Sequence, residues 1–440
     1  MKEYSKRRRQ LMESIGSKGM AVLPSAPLNG RSRTPFRQDS TFYYLSGFVE
    51  PEAVVALVPG REHGEYILFC RDKNPEKERW DGVRTGPEKA IEMFGVDDAF
   101  PIEDIDDILP GMMEGREKLY YPMGGDPAFD QRVIGWLNTI RARSRSGVVP
   151  PQEIVSLDHL VNEMRLFKSP KELKLMQRAA DISARAHTLA MQKCRPGMYE
   201  YEIEAHLHYE FRRHGAIPAY ASIVAGGRNG CVLHYIDNNA KLRSGDLLLI
   251  DSGAEYGYYA ADISRTFPVN GKFSTAQQAL YEVVLAAQKA AIEEVRPGND
   301  WNAPHLKTVE ILTQGLIDLG ILKGELKALI SEEASDVSLE SRPLGYRDVF
   351  MHRTGHWLGM DVHDVGDYKI AGEWRVFEPS MVTTIEPGLY IPAIPQIPER
   401  WHNIAIRIED DVLVTSKGHR VLTEAAPKEI SEIEGLMKGQ

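Results

Sequence analysis

Between residues 19 and 70 the chain carries short apolar runs, GMAVLPS, TFYYLSGF, EAVVALVPG and EYILFC, each about the length of a strand and set off by Pro and Gly turns. They predict a mixed sheet. Ahead of them, Leu11 and Met12 follow Arg7, Arg8 and Arg9 in what reads as an amphipathic first helix, the arginines forming its solvated face. Helical patterns follow near 87–94 and 125–142. The stretch 144–158, SRSGVVPPQEIVSLD, is rich in Ser, Gly and Pro and reads as an interdomain joint, with the boundary near residue 165.

Beyond the joint the period changes. Pro170 stands where a first helical turn accepts it, and Leu173, Met176, Ala180 and Ala184 recur at helical spacing. Further helices are predicted over about 199–214, 275–295 and 300–318. The run LLLIDSGAEYGYYAADISRTFPV reads as a hairpin, and VTTIEPGLY and AIRIEDDVLVT as more strands. The polar stretch 331–347 reads as a surface loop. The expected fold class is α+β: a mixed α/β domain over 1–165 and a larger domain over 166–440.

A length of 440 residues agrees with two domains, and 42% apolar residues is enough for large cores. The net charge of -10 gives no electrostatic reason to bind nucleic acid, so small or peptide substrates fit better. Cys70, Cys194 and Cys231 are too few and too scattered for a disulfide framework or a zinc knuckle. No segment reaches the ~18 apolar residues that span a bilayer, and no apolar stretch follows the N-terminal charges, so no membrane association is expected and the default location is cytoplasmic.

The chemistry concentrates in the second half. Asp251 ends the aliphatic run Leu247–Ile250, and Asp262 begins the return of the same hairpin, so a turn near Glu255–Gly257 would put both carboxylates on facing strands. Acids held that close in a poorly solvated site repel, and either bind a proton or share a cation. Taken alone, the pair also fits acids that cap strand ends. The segment MHRTGHWLGMDVHDVG adds His352, His356 and His363. Glu386 in TIEPG and Glu409 in RIEDD interrupt apolar strands, where each needs Arg, Lys or metal as a partner. Arg407, two residues before Glu409, points to the same face and is a candidate partner. Each feature alone has a bland explanation; five together do not.

Asp251, Asp262, His356, Glu386 and Glu409 in that order, with their motif surroundings, resemble the creatinase/aminopeptidase or pita-bread superfamily. The similarity runs from MRLFKSPKEL through HDVGD to LTEAAPKEI, and FRQDSTFYYLSGFVEPEAVV is similar to the smaller domain of aminopeptidase P. The resemblance implies two divalent ions, usually Mn(II), with Co(II) or Zn(II) also suited to this donor set. Asp262 and Glu409 would bridge them, Asp251 completing one shell and His356 with Glu386 the other. With a hydroxide added, the charges would sum to within about one unit of neutral.

The same resemblance implies cleavage between a first residue and a proline in second position, with Glu386 carrying the proton and His363 near the scissile carbonyl. His234 and His352 would line the pocket of the second residue, and Tyr220 and Tyr390 would offer a surface for the proline ring. Trp80 in RWDGVRTG is a candidate cover for an active site, possible also across a subunit boundary in the homodimer or homotetramer the family suggests. Arg353 and Thr354 depart from the small or apolar residues of many relatives. The rival expectations are an Xaa-Pro dipeptidase, which must reject longer substrates, and a non-enzymatic peptide-binding pita-bread module. A methionine aminopeptidase needs no preceding domain of this length, and creatinase lacks the full ligand set.

Overall fold

A computed structural model describes residues 2–27, 35–331 and 342–438. The chain forms two compact units, Met1–Met164 and Arg165–Gln440.

In the first unit six strands form one sheet, in the order Asp98–Pro101, Tyr66–Cys70, Val54–Leu57, Gly19–Pro24, Lys118–Tyr121 and Glu153–Ser156. Three of the four runs between 19 and 70 supply strands to it. The fourth does not: TFYYLSGF contains the helix Ser40–Ser46. Local capping overrides the β preference of its aromatics, because the Asp39 carboxylate accepts the Phe42 N–H at 2.8 Å and Gly47, left-handed at φ 70°, donates back to the Tyr43 carbonyl.

The same helix explains a second departure. Arg7 and Arg8 are buried, and their guanidinium groups donate to the Tyr44 and Leu45 carbonyls at 3.0 and 2.8 Å, satisfying acceptors that a helix C-terminus leaves open. Each also packs over a ring, Tyr44 and Tyr66 respectively. Only Arg9 keeps to the solvated face. The joint at 144–158 is likewise structured, since Glu153–Ser156 pairs in parallel with Lys118–Tyr121.

The second unit begins its long helix Pro170–Lys193 as expected, with a Ser169/Glu172 capping box and Pro170 in the first turn. That helix packs on Glu200–Arg213, and Thr275–Glu293 packs on Ala303–Asp318. Between them lie short strands: Ile223–Gly226, Leu247–Asp251 and Ser264–Pro268 in one sheet, Val382–Ile385, Asp410–Thr415 and Gly418–Val421 in another, and the pair Gly388–Tyr390 with Ala405–Arg407. Leu248, Ile250, Phe267, Leu280, Tyr281 and Ile406 belong to one buried cluster under these elements. Mixed helices and strands in both units agree with the α+β expectation. Of the loop expected at 331–347, residues 332–341 lie outside the described residues.

Candidate metal centre

Both strand pairs that carry acids are broken where the acids sit. Leu247–Asp251 pairs with Ser264–Pro268, and Asp251 faces Ser264, not Asp262. The tip beyond is a separate small hairpin closing at Gly257 and Tyr258, both at positive φ, as a two-residue primed turn requires. Between ladder and tip the strands approach so closely at Gly253 that a Cβ there would stand 1.7 Å from the Ala261 carbonyl oxygen, an approach only glycine permits. Asp262 follows Ala261 directly.

His356 reaches the same place by another close approach. Its neighbour Gly355 lies against the Thr384 carbonyl, and His356 O accepts the Thr384 N–H at 2.9 Å, which lays the histidine beside the strand that ends at Ile385. Glu386 follows that end directly, its N–H donating to Thr354 O at 2.8 Å. Glu409 leaves the paired strand system between Ala405–Arg407 and Asp410–Thr415, held by its N–H to Ser264 O at 3.0 Å.

The five residues converge. One ligand atom from each of Asp262, His356 and Glu409 lies within 4.8 Å of the others. His356 Nε2 stands 3.3 Å from Asp262 Oδ2 and 3.9 Å from Glu386 Oε1. The Tyr220 hydroxyl joins Asp251, at 2.7 Å, to Asp262. His356 Nδ1 donates to the Trp357 carbonyl at 3.0 Å, which turns Nε2 toward the acids.

The charges do not balance from within. At an effective dielectric near 20, two carboxylates ~4 Å apart repel by ~4 kcal/mol, so four cannot all ionise on the protein's own account. Burial, with the charges of Asp262, Glu386 and Asp251, pushes the Glu409 carboxyl far above its ordinary range. Burial lifts Glu386 to about 7 and raises Asp251 against the pull of Arg407. Asp262 goes the other way: burial is overcome by its hydrogen bond with His356 and that ring's charge. His356 in turn rises to about 9, burial notwithstanding, through Asp262 and Glu386. Tyr220 has one hydroxyl proton for two carboxylates, so one contact wants another positive charge. Hard oxygen donors with one imidazole, deficient in positive charge, fit divalent cations.

Arg407 is within reach of the acids, and it is spent on Asp251: its guanidinium donates to Oδ2 at 2.7 Å, to Ser264 Oγ at 2.8 Å and to the Tyr390 hydroxyl at 2.8 Å. Ser264 passes a hydrogen bond on to Glu409 Oε2 at 2.8 Å.

A cavity of about 430 Å³ opens over the acids, and His234, His352, His363 and Arg353 share its walls. The His363 ring packs edge-on against His356 at 4.3 Å. His352 is held neutral, its value lowered to about 4 by burial and Arg407, and bonds the Tyr390 hydroxyl at 2.9 Å. Tyr220 and Tyr390, expected as surfaces for a proline ring, stand beside the acids: Tyr390 is buried, and both commit their hydroxyls to the acids or to Arg407. Trp80 belongs to the other unit, on the helix Pro75–Asp81, and is 89% exposed.

Sequence reasoning missed the supports. Asp411, third acid of RIEDD, accepts the Asp262 N–H at 3.2 Å from inside the core. Asp364, next to His363, is clamped by Arg165 at 2.5 Å and Lys168 at 3.1 Å. The doubled acids in EDD and the HD of VHDVG were the available signals.

A family model for metallopeptidase family M24 matches residues 174–416, and one for the aminopeptidase P N-terminal domain matches residues 4–120. The chain is 43% identical over 440 residues to the Xaa-Pro aminopeptidase of Escherichia coli (strain K12), covering 99% of this chain and 97% of that protein. Its fold is similar to that of Pseudomonas aeruginosa aminopeptidase PepP, with a TM-score of 0.95 and 54% identity over 99% of this chain and 97% of that one. A zinc-substituted E. coli aminopeptidase P in complex with product matches with a TM-score of 0.94 and 42% identity, covering 99% of this chain and 98% of that one. On both halves and over nearly its whole length, therefore, the chain belongs to metallopeptidase family M24, carrying the aminopeptidase P type of N-terminal domain.

Proposed function

We propose that this chain is a dinuclear metal-dependent aminopeptidase that hydrolyses the bond between the first residue of a peptide and a proline in second position. The observation that carries the reading is the convergence of Asp251, Asp262, His356, Glu386 and Glu409 with too little positive charge of the protein's own. Similarity to Xaa-Pro aminopeptidases over 99% of the chain favours this activity over a dipeptidase or a binding module.

Asp262 and Glu409 would hold both ions, Asp251 one of them, and His356 with Glu386 the other. Bound there, two divalent ions supply Lewis acidity and make a hydroxide nucleophile accessible near neutral pH. The remaining work falls to side chains. The amide nitrogen of proline has no proton and must gain one to leave; Glu386, on the cavity wall beside the other acids, is placed to carry it. His363 faces the cavity where the scissile carbonyl would lie, and His234, with His352 fixed by Tyr390, would border the proline. Tyr220 and Arg407 hold Asp251 in place. Trp80, exposed in the single chain, is read as a cover contributed to a site by a neighbouring subunit.

We read the ions as Mn(II), with Co(II) or Zn(II) as substitutes, the assembly as a homodimer or homotetramer, and residues 1–165 and 166–440 as separate domains. Among the described residues no helix is long and apolar enough to cross a membrane, and the three cysteines are free, which suits the cytoplasm. Elemental analysis together with three substrates tests the reading. Two divalent ions per chain and turnover of an Xaa-Pro-Yaa tripeptide, well above that of an Xaa-Pro dipeptide or a Met-Ala peptide, are expected; preference for the dipeptide would reassign the enzyme.

A further inference from the structure

Arg353 shares the walls of the catalytic cavity with the five ligands and takes part in none of their contacts. Its guanidinium lies over Trp374, 4.8 Å from the ring centroid, and 6.0 Å from that of Trp301. One N–H donates to Asn302 Oδ1 at 3.1 Å. Among the described residues no carboxylate comes within ion-pairing distance of it. Its charged neighbour Arg347 repels it and worsens the imbalance. Two rings and an amide thus present an unneutralised fork of donors to the cavity.

The ligand that suits such a fork is a carboxylate, which Arg binds in two parallel hydrogen bonds. Orientation follows from charge. A peptide's α-ammonium is repelled by Arg353, so the arginine meets the other end of the substrate. It follows His352 directly in the chain, and His352 borders the proline; the group beyond the proline is the one within its reach.

We infer that Arg353 anchors a carboxylate immediately after the proline, the free C-terminus of an Xaa-Pro-Yaa tripeptide or an acidic side chain at the third position. The inference rests on the proposed activity. Short, free-ended peptides then become better substrates than amidated or extended ones.

The test measures kcat and KM of the metal-loaded protein on Ala-Pro-Leu, its C-terminal amide, and the amide of Ala-Pro-Asp, for the native chain, Arg353→Gln and Arg353→Lys. For the native chain, kcat/KM should favour the free acid over the leucine amide by ~10-fold, mostly through KM, as a hydrogen-bonded charge at a half-open site is worth. Arg353→Gln should bring the two within ~2-fold, and Arg353→Lys should keep part of the preference. Recovery on the aspartyl amide shows that a side chain serves as well; no recovery restricts the anchor to the main-chain terminus. An acid-to-amide ratio unchanged in Arg353→Gln, with turnover intact, overturns the role of Arg353 alone. No turnover of any of the three by the native chain overturns the activity and this inference with it.

Discussion

Glu409 and Asp410 are neighbours in sequence, both buried, and physically opposite. Asp410 is bound by Arg265 at 2.7 Å, Lys428 at 2.6 Å, Gln288 at 2.7 Å and the Thr423 hydroxyl at 2.7 Å. Those charges overcome burial and hold its carboxyl down to about 2. Glu409, one residue earlier and on the other face, has a serine hydroxyl and other acids for company. Asp364, between Arg165 and Lys168, repeats the first pattern. For Asp410 and Asp364 this chain supplies the counter-charge itself; around Glu409 it supplies too little, and that deficit is the strongest physical argument for cations there.

The division predicts opposite outcomes for the two kinds of acid. His356→Ala and Asp251→Ala should each lose bound metal and reduce turnover by ~10³-fold or more, beyond the loss of a single electrostatic donor; elemental analysis and steady-state kinetics read both. Asp410→Asn should keep its metal and turn over within a few-fold per folded molecule. Its cost should appear in denaturant unfolding, at ~3–5 kcal/mol, because Arg265 and Lys428 are left buried beside a neutral group. Metal loss in Asp410→Asn without destabilisation would erase the distinction.

pH separates them next. In the metal-free protein the Glu386 carboxyl is raised from 4.5 to about 7, and Asp251 and Glu409 are raised too, so the folded state holds protons that the unfolded chain has released. Its stability from this source is fully present below the unfolded values and falls as pH rises through that window. His356 adds the same sign, its share present below 6.5 and lost as pH climbs through about 9. Asp410 has the reverse sign: its contribution is present above 3.8 and lost as pH falls toward about 2. Thermal melts of metal-free protein from pH 5 to 9 should therefore decline, and saturating metal should flatten them. A metal-free profile as flat as the loaded one would mean the acids are not pressed together.

How much of this could be read in advance follows the same line. The five ligand positions were legible because charged residues interrupting apolar strands are rare enough to demand an explanation, and their order resembled a known family. The helix at Ser40–Ser46 was not legible, since its Asp39 cap and Gly47 stop compete with an aromatic run that looks like a strand. Arg7 and Arg8 looked like surface because the carbonyls they bind lie 37 residues away. The close approach at Gly253 was hidden too, a simple hairpin being the economical reading of that segment. Tyr220 and Tyr390 were read only for their rings, and nothing in the sequence showed that their hydroxyls bond Asp251 and Arg407.

The smallest expected effect lies on the line between the neutralised and the unneutralised acids. Ser264 accepts a hydrogen bond from Arg407, which neutralises Asp251, and donates one to Glu409, each at 2.8 Å. It stands behind the cavity wall and forms no part of the lining, so Ser264→Ala removes no group that meets substrate. What it removes is the restraint on Glu409 and one acceptor for a buried guanidinium. Supports of this kind cost ~10–100-fold in metal affinity when lost, and the low end is expected here because Arg407 keeps its bonds to Asp251 and Tyr390. Metal titrations should shift by that amount while turnover at saturating metal stays within a few-fold. A turnover defect that excess metal does not rescue would show that Glu409 needs the serine for more than its position, and would move Ser264 from the architectural side of the comparison to the chemical one.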